Sequence, residues 1–349
     1  MLTTTDYIGT FLFSSGIVVF LLGLSWGGSV YPWKSAAVIC AILLGALTLA
    51  VFVVYEIYVP KQPLITMRLF MNGQWSAAVV LLGLGAGLYY AFAIVWPQQC
   101  AVLYADPNNS MYVGYISSLV GLGFITGQVL AGLLARQIGK TRYQVMVAYL
   151  VGGIFYGCAA TITPNNKNTQ IALIYIGCVF IGWNESICLS NAAILVHDQR
   201  EVGVAGGVAG SVRSIISSIS QAVYVAILTN RLSTTIPEEV PPALIDAGLP
   251  SSSVPDFLAA ITAGTAGAFA AVSGATASII ATGLDAYRQA NADAYRTVYL
   301  ATIAFSGVAV ILTWFAPNTD HLMTGKVAAT LHHRGANDVH ADEKKEVEV

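Results

Sequence analysis

Eight long apolar stretches run through the 349-residue sequence, and two charged residues, Glu185 and Arg213, lie well inside them. A helix that crosses a bilayer needs about 20 apolar residues, because it rises about 1.5 Å per residue across roughly 30 Å of hydrocarbon. The pattern therefore predicts an all-α integral membrane protein with about eight spans. The predicted spans are 8–24, 36–58, 76–96, 113–135, 144–162, 170–195, 206–229 and 298–315.

The composition excludes several other classes of protein. Only 10% of the residues are charged and 56% are apolar, whereas about 25% of residues are charged in soluble domains. The net charge of −2 gives no reason to expect a nucleic-acid partner. The sequence has no metal-ligand spacing, phosphate loop or nucleophile motif, so we expect neither an enzyme nor a cofactor. The five scattered cysteines indicate packing residues rather than a disulfide framework.

Basic residues in the short loops predict the orientation of the spans. Loops 59–75, 136–143 and 196–205 hold six Lys or Arg residues, and the intervening short loops hold two. The more basic loops face the cytoplasm under the positive-inside rule, so both termini are expected to be cytoplasmic. The sequon at Asn108 then lies in an outer loop and is a candidate glycosylation site. No basic residue precedes the first span, which is long enough to stay in the membrane, so we expect no cleaved signal peptide.

Segment 231–297 tests this count of spans. Residues 258–282 carry no charge, but they are rich in Ala, Gly and Thr rather than in the Leu, Ile and Phe that favour insertion. The whole segment also holds several prolines and acidic residues. We therefore expect a long extracellular loop with short helices and no ninth span. The polar tail, 316–349, is expected to be cytoplasmic and disordered.

Two stretches resemble one family of transporters. Residues 6–39 are similar to the seventh span and following loop of fungal fourteen-span drug:proton antiporters of the major facilitator superfamily, nearest to the trichothecene efflux pump branch. Residues 63–70 resemble the cytoplasmic linker after the eighth span of those proteins. The resemblance implies two linker helices and a cytoplasmic loop in 1–75, and the C-terminal six-helix bundle in 76–315. It also implies a missing N-terminal bundle, without which the chain holds half of a central site.

A third stretch, 132–142, is similar to the cytoplasmic loop motif of this superfamily, Gly-x-x-x-Asp-(Arg/Lys)-x-Gly-(Arg/Lys)-(Arg/Lys). Arg136 stands where the family has Asp, which puts a charge-relay role at this position in doubt. Basic residues at such a turn can interact with the C-terminal ends of helices, although the positive-inside rule alone also accounts for them. The motif residues are Gly132, Arg136, Gly139, Lys140 and Arg142.

One half of the span 206–229 is polar. At about 100° per residue, the polar and apolar side chains of this helix separate onto opposite halves. Lipid cannot accept the polar half, so that half faces either a watery cavity or another helix. The polar half consists of Arg213, Ser214, Ser217, Ser218, Ser220, Gln221 and Tyr224.

Glu185 lies in the preceding span, at a depth within roughly 5 Å of Arg213 by helix rise. Consecutive antiparallel helices often touch, so the two charges can form an ion pair. A lone charge in the membrane costs about 2.5–3.5 kcal/mol on insertion scales, and pairing would offset part of that cost. Three roles are open for Glu185: proton carrier, substrate contact and structural partner of Arg213. Asn184 and Asn191 are seven residues apart and therefore share a helix face.

Three polar side chains on other spans are further candidates for the pathway of substrate and protons. Tyr89 and Tyr90 lie in span 76–96, which lines the cavity in the resembling family, and their rings suit a bulky apolar substrate. Gln128 lies among glycines in span 113–135. Those glycines indicate close helix packing, and the amide of Gln128 is a candidate hydrogen-bond donor in the cavity.

Together these features predict a multi-pass membrane transporter that exports toxins, drugs or other small organic molecules in exchange for protons, by alternating access. The expected partners are the lipid bilayer, a small organic substrate and protons. A siderophore transporter of the same superfamily is the alternative within this class. A truncated bundle that does not transport is the alternative outside it. The plasma membrane is the expected location, and a vacuolar or vesicle membrane is the second choice.

Overall fold

The computed structural model describes residues 6–28, 30–60, 68–106, 109, 111–196, 201–264 and 266–320. These residues are almost entirely helical, with two isolated β-bridges and no β-strand among them. Within the described ranges, eight stretches are long and apolar enough to cross a membrane. The predicted fold class and the number of spans are therefore confirmed.

The first two long helices form a hairpin. They are α1 (Tyr7–Trp26) and α2 (Ala36–Tyr58), and they pack along each other. Each begins at a side-chain cap, since Asp6 Oδ1 accepts from the N–H of Gly9 at 2.8 Å and Ser35 Oγ accepts from the N–H of Val38 at 3.4 Å. These caps satisfy N–H groups that the first helical turn leaves free.

The remaining long helices form one bundle around α4 (Gly73–Leu103), which follows the short α3 (Arg68–Met71). Helix α4 contacts four other long helices and carries many of the fully buried side chains, Trp75 and Trp96 among them. It is therefore the central element of the bundle. The other members are α5 (Tyr112–Ser117) continued by α6 (Leu119–Ile138), α7 (Thr141–Cys158), α8 (Lys167–Ile194), α9 (Val202–Asp246) and α12 (Ala277–Leu312).

Segment 231–297 differs in part from its expected form. Two short helices lie in it, α10 (Val254–Ala263) and α11 (Ala266–Ala270), and α10 ends at Gly264 with a left-handed φ of 66°, so 258–282 is not one helix. However, α9 continues through three prolines as far as Asp246, and α12 begins well before the predicted span. Proline removes helix hydrogen bonds, and burial of apolar side chains offsets that loss. A second apolar core outside the bundle holds Val240, Leu244, Leu249, Phe257, Val272 and Ile279.

The chain just after α12 packs against the bundle. Thr319 is fully buried, and its Oγ1 donates to Asn191 Oδ1 at 2.6 Å. Ala316 is also buried. The rest of the predicted tail, 321–349, and the candidate glycosylation site Asn108 lie outside the described residues.

Helix α6 approaches α8 closely at Gly127. A Cβ atom at this position would lie 1.9 Å from the carbonyl oxygen of Val179 and 2.8 Å from the backbone nitrogen of Trp183. Gly121, on the same helix, has nothing within 4 Å of an added Cβ. The predicted close packing of glycines on this helix is therefore confirmed at Gly127, whereas Gly121 serves no such contact.

We expect Gly127→Ala to lower the melting temperature of the purified protein, because overpacking a tight contact destabilises by about 1–3 kcal/mol. Thermal unfolding in detergent measures the change. Gly121→Ala is the matched control, and it should be neutral or slightly stabilising, since alanine is favoured over glycine in a helix by about 1 kcal/mol. Equal melting temperatures for the two variants would contradict the close approach of α6 to α8.

Candidate functional site

The two charges inside the membrane form an ion pair. Arg213 Nη2 on α9 lies 2.5 Å from Glu185 Oε1 on α8. The side chain of Glu185 is 6% exposed and that of Arg213 is 22% exposed. The guanidinium carbon of Arg213 also lies 5.5 Å from the ring centroid of Tyr90 on α4, within the range of a cation–π contact. The predicted ion pair is confirmed, and three helices meet at it.

Glycines on α4 let α8 and α9, the two helices that carry the ion pair, each come close to α4. A Cβ at Gly87 would lie 2.5 Å from Ser220 Oγ on α9, and a Cβ at Gly85 would lie 2.5 Å from Asn184 Nδ2 on α8. Small residues are the usual means by which membrane helices approach. The Leu-Gly-Leu-Gly-Ala-Gly-Leu stretch of α4 thus fixes the spacing of the two helices that carry the charges.

The polar half of α9 is divided between a helix contact and an open cleft. Ser217, Ser220 and Tyr224 are buried in the bundle, and the two serine hydroxyls donate to backbone carbonyls of α9 itself. Gln221 is half-buried and lines a cleft of about 420 Å³ together with Gln98 of α4. Helix α1 closes one side of this cleft. Both environments weighed for the polar half, a helix seam and a cavity, therefore occur on one helix.

Asn184 and Asn191 share a face of α8 but have different neighbours. Asn184 is buried next to the ion pair, where its Oδ1 accepts from Cys188 Sγ at 3.3 Å. Its Nδ2 has no hydrogen-bond partner within the described chain. Asn191 lies about 10.5 Å further along the helix, and its Oδ1 accepts a hydrogen bond from Thr319 instead. Asn184 therefore belongs to the surroundings of the ion pair, and Asn191 belongs to the end of the bundle.

The candidates on α4 and α6 are also separated by the fold. Tyr90 faces Arg213, whereas Tyr89 stacks on Phe124 of α6 with ring centroids 4.0 Å apart. Gln128 is half-buried one helical turn beyond Phe124. Of these three candidates, the structure brings Tyr90 into direct contact with the charged pair.

The loop motif forms a tight turn between α6 and α7. Gly139 and Lys140 both have left-handed backbone conformations, with φ of 66° and 53°. Gln144 Nε2 donates to the carbonyl of Ala135 at 2.8 Å and to that of Gly139 at 2.6 Å, which closes the turn. Gln144 Oε1 in turn accepts from the indole N–H of Trp183 at 3.1 Å, which ties the turn to α8.

A carboxylate from outside the motif completes this turn. Asp320 accepts from the N–H of Lys140 at 2.5 Å and from the N–H of Thr141 at 3.2 Å, and so caps the start of α7. Arg136 and Gly132 are exposed on α6. Asp320 is 180 residues from Lys140 in the sequence, and no local pattern marks it as a capping residue. Sequence reasoning therefore missed it, together with Gln98 and Gln144.

Comparison with known proteins places the chain in a family. The family model for the fungal trichothecene efflux pump (TRI12) matches residues 1–346. Its members are transporters rather than enzymes. The chain belongs to this family.

Curated relatives are similar along almost the whole chain. The MFS-type transporter prx5 of Penicillium rubens is 28% identical over 92% of this chain and 59% of that protein. The trichothecene efflux pump TRI12 of Fusarium sporotrichioides is 28% identical over 95% of this chain and 56% of that protein. The chain thus spans little more than half the length of these relatives. A solved structure of a bacterial homologue of the human lysosomal transporter Spinster matches 88% of this chain and 63% of its own, with a TM-score of 0.48 and 13% identity.

Breaking the ion pair should destabilise the bundle. We expect Glu185→Gln and Arg213→Gln each to lower the melting temperature, because removing one member of a buried pair costs about 3–5 kcal/mol. The loss of stability should lie at the lower end of this range, since the side chain of Arg213 is 22% exposed. The double variant should be less destabilised than the sum of the two single variants, in a thermal double-mutant cycle.

The exposed pair of Asp285 and Arg288 provides the control cycle. Its nitrogen and oxygen atoms are 3.5 Å apart, and both side chains are more than 40% exposed. Surface pairs contribute about 0–1 kcal/mol to stability. The changes in melting temperature caused by Asp285→Asn and Arg288→Gln should therefore be additive in the double variant. Additive effects at Glu185 and Arg213 as well would show that the intramembrane pair is not coupled.

Proposed function

We propose that this protein exports small organic molecules in exchange for protons, by alternating access, as part of a two-bundle transporter. The observation that carries the proposal is the buried pair of Glu185 and Arg213 in a chain of an efflux-pump family. Ionisable groups inside a membrane protein usually mark an ion or substrate pathway. The names of two relatives include the words efflux pump and trichothecene, which supports export and a toxin-like substrate.

Glu185 is the proposed proton carrier. A carboxylate that binds a proton loses its charge and with it the attraction to a guanidinium at contact distance. The guanidinium stays charged, because arginine does not lose its proton in proteins. Protonation of Glu185 would therefore weaken the contact between α8 and α9. Arg213 would then keep its cation–π contact with the ring of Tyr90. This exchange of partners gives the bundle two arrangements that differ by one proton.

The substrate would bind on the open side of the same helices. Gln221 and Gln98 present amide groups to the cleft, and Tyr90 presents an aromatic ring near Arg213. In this arrangement 76–315 is the C-terminal bundle, 1–75 is the linker, and an N-terminal bundle supplies the opposite wall. Both termini would lie in the cytoplasm and segment 231–297 outside, in the plasma membrane.

Glu185→Gln tests the carrier role. In a chain joined to an N-terminal bundle of this family, we expect the variant to lose efflux driven by an imposed pH gradient, because the amide binds no proton. Downhill movement of the substrate should persist. The measurement is efflux of a fluorescent drug or a trichothecene from vesicles with and without the gradient, and Asp285→Asn is the control.

A purely structural Glu185 gives a different result. Efflux per folded molecule would then keep its dependence on the gradient in Glu185→Gln, while the amount of folded protein would fall as it does in Arg213→Gln. That outcome would remove the proton carrier from the proposal.

The proposed orientation predicts which loops are accessible from outside. Asn108 should carry a glycan, so treatment with an endoglycosidase should increase the electrophoretic mobility of the protein. Asn108→Gln should abolish this shift in mobility. In a cysteine-free background, Lys34→Cys should react with an impermeant maleimide in intact cells, and Lys140→Cys only after permeabilisation. The reverse labelling pattern would overturn the orientation.

A further inference from the structure

A groove lies where α6, α7 and α8 meet, directly beside the loop motif. It has a volume of about 340 Å³ and we call it the motif groove. Its apolar side chains come from all three helices, and several of them are exposed on the outer surface of the bundle, which is the surface that faces lipid in a membrane protein. Its main lining residues are Ile138, Lys140, Tyr143, Val147, Phe180 and Trp183.

The interior of the groove offers few free polar groups. Both polar atoms of the Gln144 amide already have hydrogen-bond partners. Its nitrogen donates to the carbonyls of Ala135 and Gly139, and its oxygen accepts from the indole N–H of Trp183. The same hydrogen bonds hold Trp183 in the wall. A molecule that fills the groove therefore meets apolar surface along its length, and a hydrocarbon chain matches that surface.

The mouth of the groove is positively charged. Lys140 is exposed there, and it forms no ion pair with any described residue. Asp320 is the acidic residue nearest to the turn, and its carboxylate accepts from backbone N–H groups of Lys140 and Thr141. Arg136 and Arg142 flank the turn. The turn therefore has three basic residues and one acidic residue, and its net charge is positive.

We propose that the motif groove binds an anionic phospholipid, with an acyl chain along the apolar wall and the headgroup phosphate at Lys140. An apolar channel open to lipid with a basic group at one end has the shape and charge of such a molecule. Arg136 strengthens the case, because an acidic residue at that position would repel the phosphate. The cationic turn then acts as a lipid anchor for the junction of α6 and α7.

Quenching of tryptophan fluorescence by brominated lipids tests the proposal. The purified protein is reconstituted into phosphatidylcholine vesicles that contain an equal fraction of either brominated phosphatidylserine or brominated phosphatidylcholine. We expect stronger quenching by the serine lipid, and the difference should fall in Trp183→Phe but persist in Trp33→Phe, since Trp33 lies in the loop between α1 and α2, away from the motif groove. Equal quenching by both lipids, or an unchanged difference in Trp183→Phe, would overturn the proposal.

Substitution of the basic residue tests the headgroup contact. Lys140→Gln should weaken the preference for phosphatidylserine about fivefold, as expected for one basic residue near anionic lipid. Lys34→Gln removes an equal charge from the loop between α1 and α2 and should leave the preference unchanged. Equal effects of the two variants would show that the preference for phosphatidylserine depends only on the net charge of the protein, and would overturn the proposed site.

A soluble headgroup distinguishes a lipid from free phosphate. Glycerophosphoserine and inorganic phosphate carry the charge without the acyl chain, so neither should displace the brominated lipid at millimolar concentration. Displacement by either compound would assign the site to a free phosphate group rather than to a phospholipid. Thermal unfolding of Lys140→Gln confirms that the variant is folded.

Discussion

The meeting of α4, α8 and α9 is the constraint on which the rest of the molecule depends. Glu185 and Arg213 can lie inside a membrane because they lie 2.5 Å apart. That distance requires both helices to lie close against α4, where Gly85 and Gly87 leave room for them. The charge pair therefore depends on the glycines, because a Cβ atom at Gly85 or Gly87 would lie 2.5 Å from a side chain of α8 or α9.

Helix α9 connects this ion pair to the second apolar core. It has 45 residues and a length of about 68 Å at the usual helix rise. One end of it carries Arg213, and the other enters the second apolar core together with α10 and α12. The three prolines of α9 lie between Arg213 and the end of the helix, and proline inside a helix removes hydrogen bonds and can kink it.

The end of the bundle opposite that core is held by hydrogen bonds as well as by buried apolar residues such as Ala316 and Leu195. Asp320 caps α7, Thr319 is bound by Asn191, and Gln144 closes the turn at Gly139. The loop motif lacks the aspartate of its family pattern, and a carboxylate distant in sequence caps the following helix. Among the basic side chains at this turn, Arg136 and Lys140 are exposed, whereas the guanidinium carbon of Arg142 lies 5.4 Å from the ring centroid of Trp314.

The sequence by itself predicted a multi-pass membrane protein with eight spans and showed that an ion pair between Glu185 and Arg213 is feasible, because hydropathy and helix rise are local properties. It also indicated the family. The tertiary structure alone decided which candidates meet: Tyr90 joins Arg213, whereas Tyr89 stacks on Phe124 and Asn191 binds Thr319. It also decided that α9 continues beyond its predicted end through three prolines. These outcomes depend on contacts between residues far apart in the chain, and no local pattern encodes such contacts.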